Sequence, residues 1–168
     1  MKTKNIITPF LFIIVSELAG VIGSIFTFPS VTSSGLGLSW YETLVRPALN
    51  PPAWVFGPVW TTLFLLMGIA AYLVYKKGSE TIGLEGKKNT ALKIFWMQLA
   101  LNVNWSILFF GLHNPGAAFA DIIALWFSIL LTIAAFSKVS KTAAWLLVPY
   151  ILWVSFATYL NFSLWMLN

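Results

Sequence analysis

Cysteine is absent from this 168-residue chain. Disulfides, thiol nucleophiles and thiolate metal sites are therefore excluded. Histidine occurs once, at His113, which is too few for a multi-histidine metal centre. No metal site and no resident cofactor are expected. Charge is scarce too. Only 9% of residues are charged, against about 25% in a soluble domain. So few charges cannot coat a water-facing surface. The net charge of +5 is not a nucleic-acid footprint, because no basic cluster rides on a folded polar face.

What the chain has instead is apolar residues, 59% of the total, and nine tryptophans. Five apolar runs approach the roughly 20 residues that cross hydrocarbon as a helix. They span about 6–28, 55–75, 94–112, 116–137 and 143–166. The expected fold is an all-α membrane protein, a single domain built as a five-transmembrane-helix bundle. The first run follows Lys2 and Lys4 but is too long for a signal-peptide core, so it reads as a retained helix. Nine of the ten basic residues fall on one side of the implied topology: Lys2, Lys4, Lys76, Lys77, Lys87, Lys88, Lys93, Lys138 and Lys141. Only Arg46 lies on the other. The excess of Lys and Arg on cytoplasmic loops puts the N-terminus in the cytoplasm and the C-terminus outside.

Tryptophan in a membrane protein usually sits at the headgroups, where the ring is buried and the N–H stays wet. Trp60, Trp105, Trp126 and Trp153 are too deep for that. At about 1.5 Å per residue, Trp60 lies about 8 Å inside the outer end of its run, Trp105 about 10 Å and Trp153 about 20 Å. Helical spacing puts Phe56, Trp60 and Phe64 on one stripe. Gln98, Asn102, Trp105 and Phe109 form a second, and Trp153, Ala157 and Leu160 a third. Such stripes are either core packing or the walls of a pocket. The long outer connection, 29–54, carries Trp40, Tyr41, Pro47, Pro51, Pro52 and Trp54 after a flexible Ser33–Gly37 stretch. Its proline-rich half should be stiff and folded against the bundle. The expected result is an outward-opening cavity with that connection as its lid.

Two acids fall within spans. Asp121 is near the outer end, within reach of water or Arg46. Glu17 is near mid-helix with no intramembrane base to pair with, and an ionisable group there is a functional candidate. Two acids do not make a proton relay, and the spans show no inverted repeats or broken helices, which weighs against a transporter. Gly20, Gly23 and Ser24 would let another helix approach the first span closely.

The run Asn50-Pro51-Pro52-Ala53-Trp54-Val55-Phe56-Gly57-Pro58-Val59-Trp60, preceded by Trp40-Tyr41 and Pro47, resembles the TspO/MBR family of tryptophan-rich sensory proteins and translocator proteins. Gln98 to Asn102, Trp105 with Phe109-Phe110-Gly111, Asp121, and Pro149-Tyr150 through Asn161 extend the likeness over all five spans. The resemblance implies a five-helix bundle that binds porphyrins and other flat hydrophobic ligands, with a protoporphyrin IX-like molecule as partner. It implies a pocket at Trp40, Pro47, Trp60, Asn102, Trp105, Phe109, Trp153, Ala157 and Leu160. It also implies light-dependent breakdown of protoporphyrin, supported by Trp60 and Trp153. The function expected is that of a ligand-binding sensor or regulator in a bacterial cell membrane, with a protoporphyrin-degrading enzyme as the alternative and a tetrapyrrole or sterol transporter behind it. The chain departs from the family in two places. No basic residue follows Tyr159, so the sterol motif of animal members is incomplete. Lys93 and Met97 stand where some relatives carry small dimer-packing residues, which leaves a monomer or weak homodimer.

Overall fold

The computed structural model describes residues 7–31 and 39–168. Five long helices dominate it. They are α1 (Ile7–Val31), α3 (Phe56–Glu80), α4 (Glu85–Ser106), α5 (Pro115–Ser137) and α7 (Val148–Leu167). Two short helices, α2 (Trp40–Thr43) and α6 (Lys141–Leu146), and a 3-10 turn (Ala53–Val55) complete the set, with a π-helical turn (Ile107–Gly111) continuing α4. Helices suit this composition because hydrocarbon offers no partners to backbone N–H and C=O groups. All five spans are long and apolar enough to cross a membrane.

Several boundaries differ from the sequence expectation. Helix α3 runs on to Glu80 and α4 begins at Glu85, so Lys76, Lys77, Lys87, Lys88 and Lys93 ride on helix ends rather than in a loop. Long lysine stems can lie along apolar surface while their charges stay wet. Helix α1 continues through Val31, taking Pro29 and Ser30 from the long connection. The last span is broken at Leu147, where Pro149 in the first turn of α7 supplies no N–H to continue α6. The His113–Pro115 turn is as tight as expected: His113 adopts φ 51°, and Asn114 accepts a hydrogen bond from the Ala117 N–H to cap α5. Lys2, Lys4 and the Ser33–Gly37 stretch lie outside the described residues.

The two halves of the bundle are packed differently. At the lysine-rich end, small and aliphatic side chains and two phenylalanines fill the interior. Met67, Ala70, Ala71 and Val74 of α3 meet Ala91 and Phe95 of α4, Ile129 and Phe136 of α5, and Ala143 of α6. Helix α1 presses on α3 in this half. A Cβ on Gly68 would stand 2.6 Å from the Ile13 Cα, and one on Gly20 would stand 2.6 Å from the Phe64 ring. Only glycine permits those approaches. Toward its other end α1 leans away from α3 and onto α4. There Ser30 Oγ donates to the Phe110 carbonyl at 2.8 Å. That carbonyl belongs to the π-helical turn, whose looser i→i+5 pattern (Leu112 N–H to Ile107 O, 2.8 Å) changes the register of backbone pairing. The crossing of α1 from one neighbour to the other leaves space between helices in the outer half.

Candidate functional site: an aromatic cavity in the outer half of the bundle

That space is a half-open cavity of about 400 Å³, bordered by α1, α3, α4 with its π-helical turn, and α7. All three aromatic stripes reach it. Phe56, Trp60 and Phe64 line one side, with the Trp60 and Phe64 ring centroids 5.7 Å apart. Trp105 and Phe109 line another, stacked at 5.1 Å with their planes 19° apart. Trp153, Ala157 and Leu160 of α7 complete the wall. Stacked and edge-to-face rings of this kind hold one another in place, so the walls are preformed.

Polar side chains fix the rings. Trp105 Nε1 donates to Asn161 Oδ1 at 2.8 Å, and Asn161 Nδ2 donates to the Pro115 carbonyl at 2.8 Å. Asn102 Nδ2 donates to the Tyr150 hydroxyl oxygen at 2.9 Å, and Tyr150 packs edge-on against Trp60 at 6.3 Å. Asn102 and Asn161 are both buried. Amides are costly in hydrocarbon unless paired, and each of these spends its N–H on a neighbouring helix. Gln98 shares the Asn102 face but sits deeper, with its amide against the Met67 sulfur at 3.7 Å, outside the cavity.

Seven of the nine residues expected at the pocket line the cavity: Trp60, Asn102, Trp105, Phe109, Trp153, Ala157 and Leu160. Trp40 and Pro47 do not. Trp40 stacks on His113 at 4.3 Å and meets the outer side of the Phe109 ring edge-on at 5.5 Å. It therefore touches the cavity through Phe109. The connection contributes Tyr41 and Ala53 to the lining instead. Tyr41 is buried, and its hydroxyl donates to Asn50 Oδ1 at 2.8 Å. Asn168 accepts from the Val45 N–H at 2.9 Å and donates to the Val45 carbonyl at 3.1 Å, which ties the connection to the end of α7. The described half of the connection is thus folded onto the bundle.

One expectation needs correction. Asp121 reaches neither water nor Arg46. It is buried, and its Oδ1 accepts from Asn104 Nδ2 at 2.7 Å across the α4–α5 interface. Arg46 lies over the Tyr41 ring, 5.8 Å from its centroid. Trp126, the fourth deep tryptophan, does not line this cavity, and its indole N–H donates to Ser155 Oγ at 2.8 Å.

The wall missing from the sequence reading is α1. Glu17, Gly20, Val21, Ser24, Thr27 and Phe28 all line the cavity. Small and polar residues carried no aromatic periodicity to flag them. Their 3–4-residue spacing on one face was the available signal.

This geometry agrees with what comparison of the sequence shows. A sequence model of the TspO/MBR family matches residues 12–166. The chain belongs to the TspO/MBR family. It is 46% identical over 165 residues to the tryptophan-rich protein TspO of Chlorobaculum tepidum, covering 98% of each chain. It is 42% identical over 131 residues to the human translocator protein, covering 78% of this chain and 76% of that one. It is 36% identical over 151 residues to the protein CrtK of Rhodobacter capsulatus, covering 89% and 86%. The protein is therefore an integral membrane protein of this family, and both bacterial and animal members share most of its length.

Proposed function

We propose that the protein is a membrane receptor for flat hydrophobic tetrapyrroles of the protoporphyrin IX type, acting as a sensor or regulator. One observation carries the reading: rigid aromatic walls on α3, α4 and α7 face one cavity of about 400 Å³. That volume lies in the range of small-molecule sites, about 300–1,000 Å³. A planar macrocycle offers two large faces to Trp60, Trp105 and Trp153, and each aromatic pair contributes about 0.5–1.5 kcal/mol beyond area burial. Among the described residues no cluster of three or more metal-ligating side chains occurs, and His113 stacks on Trp40 outside the cavity lining. The site therefore favours metal-free porphyrin over haem, which would want an axial ligand.

The lysine-bearing ends of α3, α4, α5 and α6 lie together, opposite the end that carries Arg46. By the positive-inside tendency the cavity then opens to the outer face of a bacterial cell membrane, with the N-terminus cytoplasmic. Lys93 and Met97 stay exposed on α4, which fits a monomer or weak homodimer.

A second reading has its own observation. Trp60 and Trp153 line the same cavity, and Phe56 contacts Trp153 edge-on at 6.0 Å between them. Light-driven oxidation of bound protoporphyrin by dioxygen would have both indoles within reach. Titrating protoporphyrin into the protein, in the dark and under illumination, tests both readings. Saturable quenching of tryptophan fluorescence in the dark, weakened by Trp105→Leu, supports the receptor. Product formation under light that falls in Trp60→Phe and Trp153→Phe supports the enzyme. Absence of saturable quenching would end the first reading, and unchanged product rates in the two variants would end the second.

A further inference from the structure

The polar groups of the cavity are not spread evenly. Those on α1 form one stripe: Glu17, Ser24 and Thr27. The two hydroxyls have already spent their protons within the helix, Ser24 Oγ on the Val21 carbonyl at 2.6 Å and Thr27 Oγ1 on the Gly23 carbonyl at 3.1 Å. Only lone pairs remain to face the cavity. Among the described residues Glu17 makes no hydrogen bond or ion pair, and no Lys, Arg or His lines the cavity. It sits about one turn from Gly20, where α1 and α3 touch before they diverge. A carboxyl group within a span needs a partner, and the described residues supply none. The α1 wall is thus an acceptor surface, facing aromatic walls across the cavity.

We propose that Glu17 heads an acceptor subsite for N–H groups of the bound molecule, and that this subsite lets the cavity hold open-chain tetrapyrroles as well as closed macrocycles. The inference rests on the receptor reading above and extends its ligand class. In a closed macrocycle the pyrrole N–H bonds point to the ring centre, and a coordinated metal removes them altogether. An opened chain can turn the same N–H bonds outward toward one edge. That edge meets Glu17, Ser24 and Thr27, while the conjugated faces lie against Trp60, Trp105 and Phe109. Hydrogen bonds to an ionised acceptor are shorter and stronger than neutral ones, and the ligand's own N–H groups are what stabilise Glu17 in that form, so on binding Glu17 outweighs the two hydroxyls.

The test compares biliverdin with palladium protoporphyrin, whose square-planar metal takes no fifth ligand and leaves no N–H. Binding is measured by tryptophan quenching in detergent for the unmodified protein, Glu17→Gln and Glu17→Leu, with helicity checked by circular dichroism. The expected result is a loss of about tenfold or more in biliverdin affinity for Glu17→Leu, the scale of a hydrogen bond to a charged group. Glu17→Gln, which keeps an acceptor but no charge, loses less. Palladium protoporphyrin binding stays unchanged in both variants. Equal losses for the two ligands, or no loss for biliverdin, would overturn the acceptor role while leaving the receptor reading intact. If neither ligand binds the unmodified protein, both proposals fall.

Discussion

Trp105 on α4 donates its indole N–H to Asn161 on α7 at 2.8 Å, and Asn161 passes its own N–H to the Pro115 carbonyl at the start of α5. Three helices therefore meet at one amide, and Asn161 itself lines the cavity beside Trp105. Replacing Asn161 by Leu leaves the indole N–H without a partner and takes one of two donors from the Pro115 carbonyl, which keeps its bond within α5. Each unsatisfied group in a buried setting costs about 1–3 kcal/mol. Asn161→Leu is expected to lower the melting temperature in detergent by several degrees, at roughly 2–4 °C per kcal/mol for a chain of this size. It is also expected to weaken porphyrin binding, because the Trp105 ring loses its orientation. An unchanged melting curve would show that the three-helix joint is not a source of stability.

Trp40 is expected to act on ligand residence rather than on the fold. It stacks on His113 and edges Phe109, whose other contacts include Trp105. Trp40→Ala removes two ring contacts worth about 0.5–1.5 kcal/mol each. Affinity differences within one site fall mostly on the off-rate. Stopped-flow porphyrin release should therefore quicken by roughly tenfold, with circular dichroism unchanged. Equal release rates would mean that the connection does not brace the cavity.

Tyr41 makes the connection sensitive to high pH. Burial raises its phenol above the ordinary value of 10.0, against smaller opposing effects from Asn50 and Arg46. A raised phenol pKa means that the folded state holds the proton longer than the unfolded chain does. The contribution of the neutral phenol is thus fully present below pH 10 and is lost as pH rises through the folded-state value. Thermal stability should decline above pH 10 in the unmodified protein. Tyr41→Phe should lose the Asn50 hydrogen bond at neutral pH but show a shallower alkaline decline. Identical alkaline slopes would assign the decline to other groups.

The five spans were legible because hydrophobic length and lysine placement are properties of the chain itself. The three aromatic stripes were legible for a related reason: Phe56, Trp60 and Phe64 repeat at a helical period, and all three line one cavity. What periodicity cannot show is which helix faces the stripe. Helix α1 was read as a close-packing helix from Gly20, Gly23 and Ser24, and its lower part is one. Its diagonal path from α3 to α4 turned the same face into a cavity wall. Asp121 shows the same limit. Its partner, Asn104, lies on the preceding span, and Arg46 in the long connection is close only in topology. The π-helical turn at Ile107–Gly111 carried no glycine or proline inside it until Gly111 to mark it. Trp40 and Pro47 came from the family resemblance; neither lines the cavity, and Trp40 meets it through Phe109.

The central claim is that tetrapyrroles bind inside the cavity between α1 and the aromatic walls. Filling that cavity tests it most directly. Ala157 is buried and lines it, whereas Leu152, on the same helix, is exposed on the outer surface of the bundle. Protoporphyrin affinity is measured for Ala157→Phe and, as a control of equal bulk, Leu152→Phe. The account predicts that Ala157→Phe loses saturable binding while keeping its helicity and that Leu152→Phe binds as the unmodified protein does. Full affinity in a well-folded Ala157→Phe would contradict it and place the ligand elsewhere on the protein.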